Sequence, residues 1–380
     1  MKNKSMKIVH VITGLNTGGA EIMLWRLLTA FNRRDDIQNV VICMSKPGPV
    51  ANRILELKVP IHSLNMQPGK INPADILHLA QLLKREKADI IQTWMVHADL
   101  IGGISARLAG SPPVVWGIHN PSLDPALTKK STLRVIKLCA ALSGWLPANI
   151  ISCSRNARDI HIEAGYKASK FEFIPNGFDL LAFQPDPLAH SKLNQSLGIP
   201  LDTRNIGLIA RFHPQKDVEN FIRAAAIINK NFPKVHFILC GDEMTPQNPE
   251  LASWVSAGAL QGNIHLLGRM DNTPEIMAGL DIFALSSLSE AFPLVLGEAM
   301  SCGIPCVSTN VGDSAYLIGD TGLIVPPHDS PALAGAIASL LTLPEAQLHE
   351  LGKNARQRIQ DNFSLELMAQ SYFNLYKSLS

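Results

Sequence analysis

The segment Lys7-Ile-Val-His-Val-Ile-Thr-Gly-Leu-Asn-Thr-Gly-Gly-Ala-Glu-Ile-Met-Leu-Trp-Arg-Leu-Leu-Thr-Ala-Phe31 indicates the fold. Its apolar start, Lys7–Thr13, is typical of a buried strand, and a glycine-containing loop follows it. Apolar residues from Leu24 to Phe31 then recur at helical spacing. The segment therefore predicts a strand, a tight loop and a helix, which together open a parallel α/β sheet.

The alternation of strand and helix continues along the chain, breaks once and begins again. The break lies around Pro175–Pro200, where proline recurs among polar residues and predicts a linker. The predicted strands are Lys7–Thr13, Val40–Met44, Asp89–Thr93, Val114–Ile118, Asn149–Cys153, Asn205–Ala210, Val235–Cys240, Asn263–Leu267, Asp281–Leu285 and Pro305–Thr309. The predicted helices include Ala74–Glu86, Ala98–Ala109, Asp217–Asn231, Leu294–Cys302 and an amphipathic final helix, Ser364–Leu379. We therefore expect an α/β protein with two doubly wound, Rossmann-like domains.

The predicted linker divides the chain into a first domain, residues 1–185, and a second domain, residues 200–363. Ligands of doubly wound sheets bind outside the carboxyl ends of the strands. With two such domains, we expect the binding site in the cleft between them.

Composition limits the function classes. Of the 380 residues, 46% are apolar and 17% are charged, which allows large cores and argues against disorder. The net charge of +2 does not indicate a nucleic-acid-binding protein. No apolar run approaches the roughly 20 residues of a membrane span, and no signal-peptide cleavage site follows the first apolar run. Six cysteines without a CxxC pair are typical of reduced thiols, so a cytoplasmic protein is expected.

A glycine loop and two cations lie at the predicted ends of the strands that open the two domains. Gly18 and Gly19 precede a helix, where backbone amides can approach an anion, although the fingerprint G-x-G-x-x-G is absent. Arg211 follows the first strand of the second domain, and Lys216 directly precedes its first helix. These cations suit a diphosphate, because Arg binds it bidentately and Lys adds a point charge. A tight turn and two solvated cations are the alternative interpretations.

Two carboxylates bracket a predicted helix start in Ser287-Leu-Ser-Glu-Ala-Phe-Pro-Leu-Val-Leu-Gly-Glu298. Glu290 lies in the loop and Glu298 in the first turns of the helix. Carboxylates accept hydrogen bonds from pairs of sugar hydroxyls, and the helix N-terminus favours an anion. The alternative is that a glutamate near a helix start only stabilises the helix dipole.

Histidines follow two predicted strands of the first domain. His97 and His119 lie at carboxyl ends, where histidine can hydrogen-bond sugar hydroxyls or transfer protons; surface positions are the alternative. His213 is expected to be a packing or surface residue. No metal site is predicted, because the sequence has no His-x-x-x-His, no cysteine cluster and no Asp-x-Asp at a strand end. Arg211, Lys216 and the helix N-termini could neutralise a diphosphate without Mg²⁺.

Basic and apolar residues interleave in residues 129–145, where a helix is predicted. One hypothesis is peripheral contact with a membrane surface that carries a lipid-linked acceptor. The alternative is an ordinary helix with its apolar side on the sheet and its lysines in solvent.

Several of these segments together resemble glycosyltransferase family 4, which comprises retaining sugar transferases of the GT-B architecture. The resemblance covers nearly the whole chain. Its motifs are Gly18-Gly-Ala-Glu21, His119-Asn120, Pro175-Asn-Gly-Phe-Asp179, Arg211 with Lys216, Leu267-Gly-Arg269 and, most specifically, Glu290 and Glu298 with seven residues between them. The chain departs from many relatives at Gly241-Asp242-Glu243, where they have Gly-x-Gly, and at Gly312-Asp313, where they have two glycines. These departures concern the local fit of the donor.

The resemblance implies which residues bind the reacting end of a nucleoside diphosphate sugar. The amides of Gly18 and Gly19 would face the donor phosphates. Arg211 and Lys216 would bind and stabilise the departing diphosphate. His119 would lie beside the reacting sugar.

The resemblance also implies contacts to the sugar and the nucleoside. Glu290 would hold the sugar hydroxyls, with help from backbone amides near Phe292 and Leu294. Glu298 would bind the ribose, and the backbone near Arg269 and Met270 would contact the base. Residues 364–380 would cross back to the first domain, as in other GT-B proteins, and the two domains would face a central cleft.

The expected activity is retaining transfer of a sugar from a UDP- or GDP-sugar to a hydroxyl acceptor. A glycan or lipid-linked saccharide of bacterial polysaccharide biosynthesis is the expected acceptor, by analogy. The nucleotide sugar is a donor substrate, so neither a cofactor nor a metal is expected. The alternatives are a nucleotide-sugar epimerase or hydrolase that uses the same cleft and a catalytically silent nucleotide-binding module.

Overall fold

The structure is a computed structural model, and it describes residues 5–67, 72–119, 123, 125 and 128–380. The chain divides into two compact units: unit 1 comprises Met1–Gly177 with Leu365–Ser380, and unit 2 comprises Phe178–Ser364. From Phe178 onward, the segment predicted as a linker belongs to unit 2 and contains a helix, Ala189–Leu197.

Unit 1 contains one parallel sheet with helices between its strands. The strands are β1 (Met6–Ile12), β2 (Ile37–Cys43), β3 (Ile61–Ser63), β4 (Ile90–Trp94), β5 (Val114–Ile118), β6 (Asn149–Ser152) and β7 (Phe171–Phe173). The helices are α1 (Gly19–Phe31), α2 (Pro49–Glu56), α3 (Pro73–Glu86), α4 (Val96–Leu108), α5 (Lys130–Leu142) and α6 (Arg155–Glu163). The strand order is β3-β2-β1-β4-β5-β6-β7. Every residue of β4 and β5 is buried, as expected where helices cover both faces of a sheet.

Unit 2 repeats this plan with a six-stranded parallel sheet. Its strands are β8 (Arg204–Ile209), β9 (Val235–Cys240), β10 (Ile264–Leu266), β11 (Ile282–Leu285), β12 (Cys306–Thr309) and β13 (Gly322–Val325). Its helices are α7 (Ala189–Leu197), α8 (Val218–Asn231), α9 (Pro249–Ala257), α10 (Thr273–Ala278), α11 (Leu294–Ser301), α12 (Ser314–Ile318), α13 (Ser330–Leu341) and α14 (Glu345–Asn362). The strand order is β10-β9-β8-β11-β12-β13.

The final helix, α15 (Leu365–Leu379), belongs to unit 1, so the predicted return of the tail to the first domain is confirmed. Tyr376 of α15 makes an edge contact with Phe31 of α1, with 6.2 Å between the ring centroids. Its hydroxyl donates a hydrogen bond to Gln92 Oε1 at 2.8 Å. Aromatic packing and one buried hydrogen bond therefore hold the tail on the sheet.

The direction of winding reverses at the same place in both sheets. The first strand of unit 1, β1, lies between β2 and β4, and the first strand of unit 2, β8, lies between β9 and β11. At such a point, the loops after the two neighbouring strands diverge and leave a crevice at the carboxyl ends. Gly18 and Gly19 follow β1, Arg211 and Lys216 follow β8, and Glu290 follows its neighbour β11.

Every predicted strand is present, with small shifts at the ends, and β3, β7 and β13 were not predicted. All six cysteines are buried free thiols. Among the residues that the structure describes, no helix combines the length and the apolar character that crossing a membrane requires.

Candidate active site

Lys216 and Glu290 form an ion pair at the switch point of unit 2. Lys216 ends a short 3-10 turn after β8, and Glu290 lies in the loop between β11 and α11. Lys216 Nζ donates a hydrogen bond to Glu290 Oε1, which also accepts one from Ser287 Oγ at 2.7 Å. The Lys216 and Glu290 side chains are only 20% and 14% exposed. The residues meet although 74 positions separate them, because β8 and β11 are neighbours in the sheet.

Hydrogen bonds between the two loops hold this pair in place. Ser286 Oγ donates to the carbonyl of Lys216 at 2.8 Å, and the Leu288 amide donates to the carbonyl of Gln215 at 2.7 Å. His213 Nδ1 accepts a hydrogen bond from the Gln215 amide at 3.3 Å and so caps the turn that carries Lys216. His213 therefore has a structural role. Burial, and then the charges of Arg211 and Lys216, lower the pKa of His213.

Gly312 allows a third loop to approach the carboxylate loop. Its φ is 53°, and a Cβ at this position would lie 2.1 Å from the carbonyl oxygen of Glu290. The next residue, Asp313, is buried and donates its amide to the Ala291 carbonyl at 3.0 Å. Asp313, where many relatives have a second glycine, therefore lies in a buried backbone contact. The close approach of the two loops requires a glycine only at position 312, and this glycine is present.

Glu298 lies beyond the first turn of α11, which contains no acidic residue. The helix dipole acts mainly within the first turn, so it does not explain this carboxylate, which is 8% exposed. Before the helix, the buried ring of Phe292 stacks on Phe178, with 6.2 Å between centroids. Pro293, which follows Phe292, is the N-cap of α11, and Leu294 is the first helical residue. Because proline has no backbone N–H, position 293 has no amide to donate.

The remaining residues of the predicted donor site lie in the loops after β8, β9 and β10. Arg211 is exposed and makes no hydrogen bond or ion pair with any residue in the described ranges. Gly241 donates its amide to the Gly268 carbonyl at 2.8 Å, and a Cβ at Gly241 would lie 2.0 Å from the Ala210 carbonyl oxygen. Arg269 and Met270 are exposed beside this contact. The residues predicted to contact the base, the diphosphate and the sugar therefore follow the carboxyl ends of neighbouring strands.

In unit 1, Gly18 and Gly19 form the start of α1. Gly18 is the N-cap and provides no side chain, and its carbonyl accepts a hydrogen bond from the Ile22 amide at 3.0 Å. The Glu21 carboxylate lies over Gly18: a Cβ at position 18 would be only 2.5 Å from Glu21 Oε2. This loop therefore combines a helix N-terminus with one carboxylate of its own.

His119 follows β5 and lies flat against Trp94, the last residue of β4. The ring centroids are 5.3 Å apart and the planes differ by 16°. Burial lowers the pKa of His119 to about 4, so the ring is neutral at physiological pH. His97 lies in the first turn of α4, where burial also lowers its pKa. Asn120, the second residue of the family motif, lies outside the described residues.

Asp99 is a buried carboxylate that was not predicted from the sequence. Its Oδ1 accepts hydrogen bonds from Thr93 Oγ1 at 2.5 Å and from the Gly117 amide at 3.3 Å, which joins the ends of β4 and β5. Burial raises the pKa of Asp99 to about 8. One acidic residue in an apolar helix carries no sequence signal for this role.

The site in unit 2 offers two cations and a paired carboxylate in neighbouring loops, and a buried carboxylate in helix α11. Such a set can bind a diphosphate and polar hydroxyl groups at the same edge of the sheet. In the described part of the chain, no three His, Cys, Asp or Glu side chains come close enough to hold a metal ion.

Two family models match the chain, one for each unit. Glycosyltransferase Family 4 matches residues 17–180, and Glycosyl transferases group 1 matches residues 190–358. The chain belongs to glycosyltransferase family 4. This family 4 protein is therefore a glycosyltransferase, and its two Rossmann-like units are those of the GT-B fold.

Two relatives and a solved structure match the family 4 enzyme over almost its whole length. It is 27% identical to the UDP-Gal:alpha-D-GlcNAc-diphosphoundecaprenol alpha-1,3-galactosyltransferase of Escherichia coli, over 98% of this chain and 97% of that protein. It is 26% identical to the N,N'-diacetylbacillosaminyl-diphospho-undecaprenol alpha-1,3-N-acetylgalactosaminyltransferase of Campylobacter jejuni, over 95% and 97%. The crystal structure of Anabaena Alr3699/HepE in complex with UDP has a TM-score of 0.86 and 26% identity, and the match covers 98% of this chain and 100% of that one.

Proposed function

We propose that this glycosyltransferase takes its sugar from a nucleoside diphosphate sugar and retains the configuration of the anomeric carbon. The observation that carries the donor proposal is the Lys216–Glu290 pair beside the exposed Arg211. A cation held by a carboxylate, with a second cation in the same loop, suits a ligand that has a diphosphate next to sugar hydroxyls.

The hydrogen bonds of the pair leave groups for both parts of such a donor. Lys216 Nζ has three N–H donors, and its one described partner is Glu290 Oε1. Glu290 Oε2 accepts no hydrogen bond within the described ranges. In the proposed complex, Lys216 and Arg211 bind the diphosphate, and Glu290 Oε2 accepts hydrogen bonds from the sugar.

The proposed reaction breaks the bond between the anomeric carbon and the leaving phosphate oxygen. Negative charge grows on that oxygen, so the cations of Arg211 and Lys216 stabilise the transition state more than the ground state. The acceptor hydroxyl attacks from the same face, and its proton passes to the leaving phosphate. Glu290 positions the donor sugar in this scheme and forms no covalent bond to it.

The nucleoside would extend from the diphosphate along the same sheet edge. Glu298 would accept hydrogen bonds from the ribose, the backbone at Arg269 and Met270 would contact the base, and Phe292 and Leu294 would flank the sugar. The amides of Gly18 and Gly19 would contribute to phosphate binding. UDP is the nucleotide that we favour, because it is bound in the Anabaena structure and named in the Escherichia coli enzyme.

A thermal-shift screen with UDP, GDP and their hexose conjugates tests the donor. A nucleotide at 100 times its dissociation constant should stabilise the protein by about 2.7 kcal/mol. If no nucleotide raises the melting temperature, the donor proposal is wrong. With the donor known, proton NMR of the fresh product reports the anomer: an inverted linkage contradicts retention, and release of free sugar without transfer to any acceptor indicates a hydrolase.

The proposed acceptor is a lipid-linked saccharide of bacterial polysaccharide biosynthesis, and the proposed location is the cytoplasmic face of the inner membrane, with peripheral contact to it. Two relatives carry diphosphoundecaprenol acceptors in their names. From Pro125 to Arg158 the sequence has no Asp or Glu. The exposed side of α5 presents the cations Lys130, Arg134 and Lys137. Two apolar residues are exposed nearby along the chain: Leu138 at 53% and Trp145, just past the helix, at 61%. Cations beside exposed apolar residues suit an anionic lipid surface.

Co-sedimentation with vesicles of phosphatidylcholine and phosphatidylglycerol tests this contact. A Leu138→Ser, Trp145→Ser variant should lose most of its binding to anionic vesicles. The matched control is Leu188→Ser, because Leu188 is similarly exposed, at 58%, but lies in unit 2. Equal binding by both variants, or no preference for anionic over neutral vesicles, would contradict the proposed surface.

A further inference from the structure

Three aromatic rings form a nearly parallel stack that leads from the tail helix to His119. Tyr372 of α15 lies 6.1 Å from Trp94 with an interplanar angle of 11°, and Trp94 lies 5.3 Å from His119 with an angle of 16°. Trp94 and Tyr372 are 1% and 2% exposed. Because both are almost completely enclosed, the position of each ring depends on the ring beside it.

Polar contacts fix the middle of this stack. Trp94 Nε1 donates a hydrogen bond to His10 Nδ1 at 3.3 Å, so the proton of the neutral His10 ring lies on Nε2. That nitrogen lies 3.1 Å from Asn39 Oδ1 and can donate to it. Burial lowers the pKa of His10 to about 4, which agrees with a neutral ring. The hydrogen bond to His10 therefore fixes the rotation of the indole, and the stacked rings of His119 and Tyr372 fix its plane.

The tail side of the stack is fixed as well. Tyr376, one helical turn after Tyr372, makes an edge contact with it, with 5.9 Å between centroids. The Tyr376 hydroxyl donates to Gln92 Oε1 in β4, the strand that ends with Trp94. A shift of α15 would therefore move both the strand contact and the stacked face of Trp94.

At the other end of the stack, His119 has an unused ring nitrogen. Its Nε2 is enclosed and makes no hydrogen bond within the described ranges. A buried polar atom without a partner is costly, so this position favours a ligand that supplies one. A neutral imidazole held flat by stacking would present that nitrogen in one direction.

We propose that Tyr372 is a positioning residue for His119, acting through Trp94, so that the tail helix helps to build the transfer site. The inference rests on the proposed function, in which His119 lies beside the reacting sugar. A displacement of a reacting contact by about 1 Å can cost roughly a hundredfold in rate. Loss of the Tyr372 ring should therefore reduce turnover while nucleotide binding in unit 2 is unchanged.

The test compares Tyr372→Leu with Tyr372→Phe, which keeps the ring, and with Phe373→Leu, a matched control. Phe373 lies on the same helix, and its ring contacts Arg34 at 3.8 Å from the centroid. NMR of labelled histidine, assigned with His119→Gln, reports the ring current of Trp94 on His119. Nucleotide affinity, kcat and KM are measured for each variant. If Tyr372→Leu does not fold, Trp94→Phe is used in its place.

We expect Tyr372→Leu to shift the His119 resonance and to lower kcat roughly tenfold to a hundredfold, with nucleotide affinity unchanged. Tyr372→Phe and Phe373→Leu should both resemble the wild type. An unmoved resonance, an unchanged kcat, or equal losses in either comparison variant would overturn the inference. If the wild type transfers no sugar from any nucleotide sugar, the proposed function fails, and the resonance shift still decides whether Tyr372 positions His119.

Discussion

Replacement of Lys216 by methionine separates the proposed catalytic charge from the folding role of the same residue. Methionine keeps much of the apolar stem of lysine but removes the ammonium group. In the folded protein, this change leaves Glu290 with Ser287 Oγ as its described hydrogen-bond donor. The Glu290 side chain is 14% exposed, so water restores only part of the lost interaction.

The expected losses differ for activity and for stability. Removal of one hydrogen-bond donor to a developing oxyanion typically lowers kcat by about 10²–10³, which corresponds to about 2.7–4 kcal/mol, and we expect at least this loss for the charged donor Lys216. A buried polar group that loses its partner costs about 1–3 kcal/mol, and a charged group costs more. Because water reaches part of the Glu290 carboxylate, we expect a loss in unfolding free energy within that range. Lys216→Met should therefore fold but transfer sugar at least a hundred times more slowly.

Two further variants separate the loss of catalytic charge from the loss of stability. Arg211→Met should lower kcat by a similar factor with almost no change in stability, because Arg211 is exposed and without a described partner. Glu290→Gln combined with Lys216→Met should recover much of the lost unfolding free energy but none of the activity, because it removes the stranded charge. Turnover and urea unfolding of the four proteins give the required values. A kcat for Lys216→Met within threefold of the wild type would refute the assignment.

Two other predictions concern stability. Gly312→Ala should lower the unfolding free energy by about 2 kcal/mol or more, because a left-handed alanine costs about 1–2 kcal/mol and the new Cβ would push the Glu290 backbone. The same displacement should reduce kcat. The control is Gly335→Ala in the open interior of α13, for which urea unfolding should show a gain of about 0.5–1 kcal/mol. Folding raises the pKa of Asp99 to about 8, so the folded state holds a proton that the unfolded chain loses above its ordinary value. The unfolding free energy should therefore fall by about 2 kcal/mol between pH 6.5 and pH 8 from this group, and parallel profiles for the wild type and Asp99→Asn over that range would contradict the assignment.

Much of the fold could be predicted from the sequence because its signals are local. Buried parallel strands are short apolar runs between helices of 3.6-residue period, and β5 and β9 begin and end at their predicted residues. Three strands were missed: β3, β7 and β13 have three or four residues, are mostly half-buried and lie at sheet edges. β3 (Ile-His-Ser) and β7 (Phe-Glu-Phe) each contain a polar residue and have no apolar run. β13 (Gly-Leu-Ile-Val) is apolar, but its four residues are too few to distinguish a strand from a loop or a helix segment.

The amino-acid sequence by itself determined the two α/β halves, the loops that contain Arg211, Lys216, Glu290 and Glu298, and the resemblance to family 4. Only the tertiary structure decided which of these residues meet. The Lys216–Glu290 pair depends on β8 and β11 being neighbours, and the stack of Tyr372, Trp94 and His119 depends on where the tail helix packs. The order of parallel strands and the docking of a helix arise from burial summed over the whole core, so no short segment encodes them.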